Sequence, residues 1–325
     1  MRRLPILLLL AAPAAALVPS PTAAQDKAAT VDPYDQSGVA LEKEPPPDFK
    51  GKRVLLVAGR QSHGPGDHEF FAGCAILMNL LKQTPGVFPI MARDGWPKNE
   101  KLLDSADCLL FYMDGRGGHP VVQGDHMDRL QKQIDRGAGW VNLHYAVDYL
   151  PQHGKRVLGW MGGYYEPNYS INPHWDAEIR SLPTHPVTRG VRPFVLRDEW
   201  YYGMRFPEDT KGLTPILQAI PPDNTRGTEY TKGRKGQLET MAWAFDRPDG
   251  GRGFGFTGGH FHRNWADEDF RRVVVNAILW CTRVDVPAAG APVAFDAADL
   301  NKNLDRKGKG EFRPITPPAR TAPKP

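Results

Sequence analysis

The chain has 325 residues, with 41 lysines and arginines against 37 aspartates and glutamates and a formal net charge of +4. That length suits one large domain with extensions and can bury a substantial core. The mixing of acidic and basic residues along the body provides no basic face, so no nucleic-acid partner is expected.

At the start, Arg2 and Arg3 precede an apolar stretch to Val18, and Thr22-Ala23-Ala24 supplies the small residues that signal peptidase favours. Residues 1–24 therefore read as a signal peptide, and the mature protein is expected in the periplasm or outside the cell. Pro13 interrupts the stretch, which is too short to span a bilayer well, so no membrane association is expected after cleavage. Cleavage removes the two arginines and leaves a formal charge of +2. Residues 25–50 are polar and carry Pro45-Pro46-Pro47, which reads as a linker or N-terminal arm.

From residue 51 the pattern alternates strand and helix. Residues 54–58 form an apolar run closed by Gly59, and residues 69–82 place Phe70, Cys74, Leu77 and Leu81 at helical spacing. A second strand is expected over 87–92, a short helix over 101–105 and a third strand over 108–113. A helix with Met127, Leu130 and Ile134 on one side follows over 126–136, then a fourth strand over 140–143. Continuous apolar strands suit a sheet covered on both faces, and right-handed crossovers make it parallel. After Pro151 the pattern turns to strands (176–182, 194–200, 214–220, 239–245, 253–257) with few helices, until a last helix over 267–280. Residues 286–325 are proline-rich and basic, and both ends are expected to be extended, packed over the surface or disordered. Cys74, Cys108 and Cys281 each lie in apolar runs and are expected as buried thiols, with no disulfide pair singled out. The fold expected for 51–285 is α/β and flavodoxin-like: a mostly parallel sheet flanked by helices, ordered 2-1-3-4-5, with antiparallel strands and long loops in the second half. Such a sheet binds ligands beyond the carboxyl ends of its strands, at the point where strand order reverses.

That rim collects the histidines. Gly137 to His144 is a glycine turn feeding a short strand that releases His144 at its end. His63 and His68 leave the first strand, Asp114 and Arg116 the third, and His260 and His262 follow the last. His119, His126 and His153 lack such placement and read as solvated. Imidazoles gathered with a carboxylate suit zinc and similar ions, while the bland alternatives are a hydrogen-bonded loop at His63 and His68 and a capping role for His260. In Asp198-Glu199-Trp200-Tyr201-Tyr202, alternation puts Asp198, Trp200 and Tyr202 on one face and Glu199 and Tyr201 on the other, so only one carboxylate points inward. Tyr164, Tyr165, Tyr169, Trp175 and Trp265 lie among Gly, Pro and Asn, where rings either meet the C–H faces of sugars or pin their loops. No Gly-x-Ser-x-Gly elbow occurs, no cysteine ends the fourth strand, and no phosphate-binding glycine loop follows the first, which disfavours acyl transfer and nucleotide use.

Val54-Leu55-Leu56-Val57, Val141-Asn142-Leu143-His144, Thr184-His185-Pro186-Val187, Asp198-Glu199-Trp200-Tyr201 and Gly255-Phe256-Thr257-Gly258-Gly259-His260 together resemble the trehalose-utilisation (ThuA-like) domain. The resemblance covers roughly residues 52–284. It implies a class I glutamine amidotransferase-like fold without the catalytic cysteine, with His144 where the nucleophile would stand. It also implies carbohydrate metabolism involving trehalose-like disaccharides or their keto forms. Carried over by position, His144, Glu199 and His260 are the catalytic candidates, and His63, His144, Glu199 and His260 the candidate ligands of a divalent metal, zinc by preference. Asp114, Tyr165, His185, Tyr202, His262 and Trp265 complete the set as candidate substrate contacts. Met113-Asp114-Gly115 follows the third strand where other members place a histidine. The expected protein is a secreted sugar-active hydrolase, lyase or isomerase working by proton transfer, not a cysteine-dependent amidotransferase. Its expected partner is a small-molecule carbohydrate, with a homo-oligomer left open. The rival expectation is a carbohydrate-binding or accessory protein without chemistry.

Overall fold

A computed structural model describes residues 32–323, so the expected signal peptide lies outside the described residues. In chain order the domain runs β1 (Lys52–Ala58), α1 (Phe70–Leu81), β2 (Val87–Ala92), α2 (Lys101–Ser105), β3 (Cys108–Tyr112), α3 (His126–Asp135), β4 (Gly139–Leu143) and α4 (Pro151–Met161). It continues with β5 (Trp175–Ile179), β6 (Phe194–Asp198), β7 (Leu213–Ala219), α5 (Glu229–Lys232), β8 (Glu239–Asp246), β9 (Arg252–Phe256) and α6 (Glu268–Cys281). Seven strands form one sheet in the order β2-β1-β3-β4-β9-β8-β7. The first five in that order are parallel, while β8 and β7 add antiparallel at one side. With β9 counted as the fifth strand, this is the expected 2-1-3-4-5 order, and its reversal lies between β1 and β3.

The continuous apolar strands are explained by two cores. Along β1, Val54, Leu56 and Ala58 face a cluster shared with α1 and α6, and Leu55 and Val57 face the cluster beneath α2, α3 and α4. Successive side chains of a strand point to opposite faces, so a strand covered on both sides must be apolar throughout. Among the described residues, no helix is long and apolar enough to cross a membrane.

Two expectations need correction here. After Pro151 strands are expected, but the chain first forms the helix α4, over Pro151–Met161. Proline is well placed at a helix start, and Gly154 is small because the Tyr164 ring lies against it, leaving no room for a Cβ. His119 is not solvated: it is fully buried, stacked on Tyr149 at 4.6 Å, with Nε2 3.1 Å from the Ala146 carbonyl and Nδ1 accepting from the Val121 N–H. Burial pushes its pKa down to about 4. Strands β5 and β6 also stand apart as their own two-stranded sheet.

Both extensions pack on the body. Leu41 bridges Met91 at the β2 edge, and Leu304 N–H donates to the Pro33 carbonyl, which ties the two arms together. All three cysteines are buried free thiols whose pKa values burial raises. A thiol-specific disulfide reagent is therefore expected to modify none of them in native protein and all three in denaturant. Rapid labelling of any one under native conditions would contradict this packing.

Candidate metal centre

Four side chains from four distant segments meet beyond the carboxyl ends of the strands: His68, His144, Glu199 and His260, whose donor atoms all lie within 4.8 Å of one another. His144 follows β4 directly and has a left-handed backbone, φ 55°. It is fully buried, and its Nδ1 lies 2.9 Å from the Thr257 carbonyl. His68 is also left-handed, φ 49°, and its Nδ1 lies 3.1 Å from Asp114 Oδ1. His260 follows Gly259, whose φ of 112° is open to glycine rather than to side-chain-bearing residues.

Asp198 shapes the loop that presents His260. Its carboxylate accepts the N–H groups of Gly259 at 2.7 Å and His260 at 3.0 Å and the side-chain amide of Asn264 at 2.9 Å. Alternation beyond β6 then sends Glu199 the other way, into the cluster. Glu199 Oε2 lies 3.1 Å from His260 Nδ1 and 3.5 Å from His144 Nε2, while the Asn172 side-chain amide donates to Oε1 at 2.9 Å.

The ring nitrogens limit what the cluster can hold. Both His144 Nδ1 and His68 Nδ1 face acceptors, so in neutral rings both carry the hydrogen and both Nε2 atoms present lone pairs. Those two Nε2 atoms are 2.9 Å apart, and His68 Nε2 is also 2.9 Å from His260 Nδ1. Lone pairs at that distance repel unless an electrophile is shared between them. Three imidazoles, a carboxylate and outer acceptors that fix two of the rings form a donor set suited to zinc or a similar ion. Burial, then the neighbouring rings of His144, His63 and His260, holds His68 far below the ordinary imidazole range, so it stays an uncharged donor. Burial alone would raise Glu199, yet the neighbouring rings of His144 and His260 outweigh it and keep the carboxyl well below its usual range. For His260, burial is likewise outweighed by Asp67 and Glu199, which raise it to about 9.

Of the predicted metal set, His144, Glu199 and His260 come together with His68, while His63 groups instead with His68 and Asp114. His63 is exposed, stacks on His68 with centroids 3.6 Å apart, and has Nδ1 2.6 Å from the Ser62 hydroxyl. His68 takes the place given to it. Its signal in the sequence was the same as that of His63, since both lie in one loop. Asp114 stands at the mouth, with a side chain 42% exposed.

The remaining predicted substrate contacts lie elsewhere. Tyr165 is buried with its ring 5.2 Å from that of Tyr201, and its hydroxyl donates to Asn172 Oδ1 at 3.2 Å. His185 sits beside Trp280 at the end of α6, where its Nδ1 accepts from Val187 N–H, and does not join the cluster. Tyr202 is buried with its hydroxyl on Thr225, as alternation requires of a residue in phase with Asp198. His262 is fully buried and its backbone N–H donates to the Gly66 carbonyl, so it braces the His68 loop rather than meeting a ligand. Trp265 is buried against Phe270 and Tyr112, and Trp175 and Tyr164 are also buried; these rings pin loops. Arg116 pairs with the buried Asp148 at 2.9 Å.

His174 escaped the sequence reading. Its half-exposed ring lies 4.8 Å from that of His260, with Nε2 3.9 Å from Glu199 Oε1. Nothing in Asn172-Pro173-His174 distinguishes it from a turn. Beside Asp114, a groove of about 510 Å³ opens at the β1/β3 reversal, lined among others by Arg60, Asp94, Trp96, Gln123 and His126.

The model of the ThuA family, described as trehalose utilisation, matches residues 53–281. Among solved structures, a ThuA-like protein from Bacteroides uniformis is 17% identical, covering 75% of this chain and 97% of its own, with a TM-score of 0.53. A ThuA-like protein from Parabacteroides merdae is 15% identical, covering 73% and 92%, with a TM-score of 0.50. No curated protein matches the chain.

Proposed function

The chain belongs to the ThuA, trehalose utilisation, family, and on that premise we propose that it is a secreted enzyme acting on a glycoside or keto-sugar by metal-assisted proton transfer. The family gives a carbohydrate-related role. The finer reading rests on one observation, the convergence of His68 Nε2, His144 Nε2, His260 Nδ1 and Glu199 Oε2 around one point at the strand ends. These four residues would hold a divalent ion, zinc by ligand chemistry, which when bound supplies Lewis acidity to a sugar carbonyl or hydroxyl and eases loss of a neighbouring proton.

The residues around the four do the rest. His144 and His260 act as ligands rather than bases, because their rings are buried and each turns a nitrogen toward His68 Nε2. Tyr201 hydroxyl, 3.3 Å from Glu199 Oε2, stays a donor because burial raises its pKa well above the phenolic range. His174, half exposed at the mouth, is the ring that reaches a substrate proton at Nε2 and returns it to water. The groove at the strand reversal receives the second sugar ring, with Trp96, fixed by its indole N–H bond to Glu100, as a flat wall.

The test is solvent exchange. A keto-disaccharide incubated with the protein in deuterated buffer is expected to lose the proton beside its carbonyl, followed by NMR, faster than in buffer alone. Saturable sugar binding without exchange or product would instead support the accessory-protein reading. Trp96→Ala is expected to weaken disaccharide binding about three- to tenfold, the scale of one aromatic contact, as titration calorimetry would read it. Unchanged affinity would remove the groove from the substrate path.

A further inference from the structure

The C-terminal extension crosses behind the loop that carries His68, and it lies beyond the segment matched by the family model, which ends at residue 281. Asn301 closes this extension on itself, its side chain exchanging hydrogen bonds with both backbone groups of Ile315. Between them, the Gln61 side chain donates to the Arg306 carbonyl at 2.9 Å, and Asp305 N–H donates to Glu69 Oε2 at 2.9 Å. At the centre is Lys307, with a side chain only 1% exposed. Its ammonium has three protons and meets three acceptors on consecutive residues: the Asp67 carbonyl, the His68 carbonyl at 3.1 Å and the Glu69 carboxylate at 3.3 Å.

We infer that Lys307 is a positioning residue for the metal centre, and that the extension around it is a strap which holds His68 in ligating orientation. The inference rests on the metal reading above and adds a part of the chain to it. His68 has a left-handed backbone, a conformation that costs a side-chain-bearing residue about 1–3 kcal/mol and persists only where its surroundings over-determine it. Its N–H is fixed by the His260 carbonyl at 2.9 Å, and its own carbonyl accepts from both the Phe70 N–H at 2.8 Å and Lys307 at 3.1 Å. These backbone bonds set the direction of the Cα–Cβ bond, and Asp114 then sets the rotation of the ring. Glu69 completes the brace by accepting the Gly66 N–H at 3.0 Å. Without the lysine, the His68 carbonyl keeps only the Phe70 N–H, and the peptide between His68 and Glu69 is held less firmly.

Removing Lys307 alone would strand the buried Glu69 carboxylate, so the variant of choice is Lys307→Met with Glu69→Gln. The metal probe is cobalt(II), titrated into full-length metal-free protein and followed by its visible absorption. The folded double variant is expected to bind cobalt(II) about 10- to 100-fold more weakly than wild type, the range for outer groups that orient ligands. Its His68 ring nitrogen NMR signals are expected to move while those of His185 stay. Wild-type affinity and unmoved His68 signals in a folded variant would overturn the inference, as would a lower melting temperature alone. If the double variant does not fold, Leu304→Ala, which loosens the strap without touching a charge, supplies the same two readouts. If wild type itself binds no cobalt(II), the metal reading fails, and the His68 signals of the metal-free proteins still decide whether the strap positions that ring.

Discussion

Purified wild-type protein is expected to carry about one equivalent of a transition metal per chain, and His68→Ala and His144→Ala are each expected to carry almost none. Each substitution removes one of four donors. Loss of a ligand should exceed the 10- to 100-fold that outer-shell changes cost, so affinity is expected to fall by more than about 100-fold. Elemental analysis after exhaustive dialysis reads the difference. A second measurement follows from linkage: an ion bound at about a thousand times its dissociation constant stabilises the fold by about 4 kcal/mol. Chelator should therefore lower the melting temperature of wild type by several degrees and leave both variants unmoved. His185→Ala is the control, because His185 lies beside Trp280, away from the cluster. Equal metal content in wild type and the His144 variant would mean that the converging nitrogens hold no ion. Equal loss in His185→Ala would mean that metal is lost through misfolding.

The parallel half of the sheet was legible because its chemistry is local. A strand buried on both faces is apolar where it is covered, as at residues 54–58 of β1 and 108–112 of β3, with Asn142 the polar exception in β4. The rim followed from it, since a parallel strand order places every following loop on one side. What stayed hidden depends on tertiary packing. Helix α4 carries two glycines, and the reason for Gly154 is a tyrosine ring ten residues further on. His63 and His68 occupy one loop and look alike in sequence. Both have left-handed backbones, so burial, the Asp114 carboxylate beside one and the Ser62 hydroxyl beside the other are what distinguish them. The same holds for Tyr202 against Tyr201. Their alternation was visible, but Tyr202 was assigned to the substrate although it is in phase with Asp198, on the face turned away from the cluster. Lys307 shows the limit most plainly. A lysine in a charge-dense, proline-rich tail reads as solvated, yet this one is buried because three acceptors from a loop more than two hundred residues earlier saturate its protons.

Asp198→Ala is expected to be the most destabilising single substitution at the site, and for a reason separate from metal binding. The carboxylate is fully buried and forms no ion pair among the described residues. Its five partners are N–H donors: the backbone groups of Glu199, Gly259, His260 and Phe261 and the side chain of Asn264. Alanine leaves these donors without an acceptor in a region closed to water. At about 1–3 kcal/mol for each buried group left unpaired, a loss of about 3 kcal/mol or more is expected. For a domain of this size that lowers the melting temperature by roughly 6–12 °C in the metal-free protein. Asp198→Asn should recover only part of the loss, because its amide nitrogen must oppose one of the donors. Since this carboxylate joins the strand end bearing Glu199 to the loop bearing His260, metal affinity should fall together with stability. His144→Ala, by contrast, should lose the ion while the metal-free fold melts nearly where wild type does. If metal-free Asp198→Ala melts within about 2 °C of wild type, too little for even one buried donor left unpaired, then the loop from Gly258 to His260 is held by something other than this carboxylate. The orientation of His260 would then need another cause.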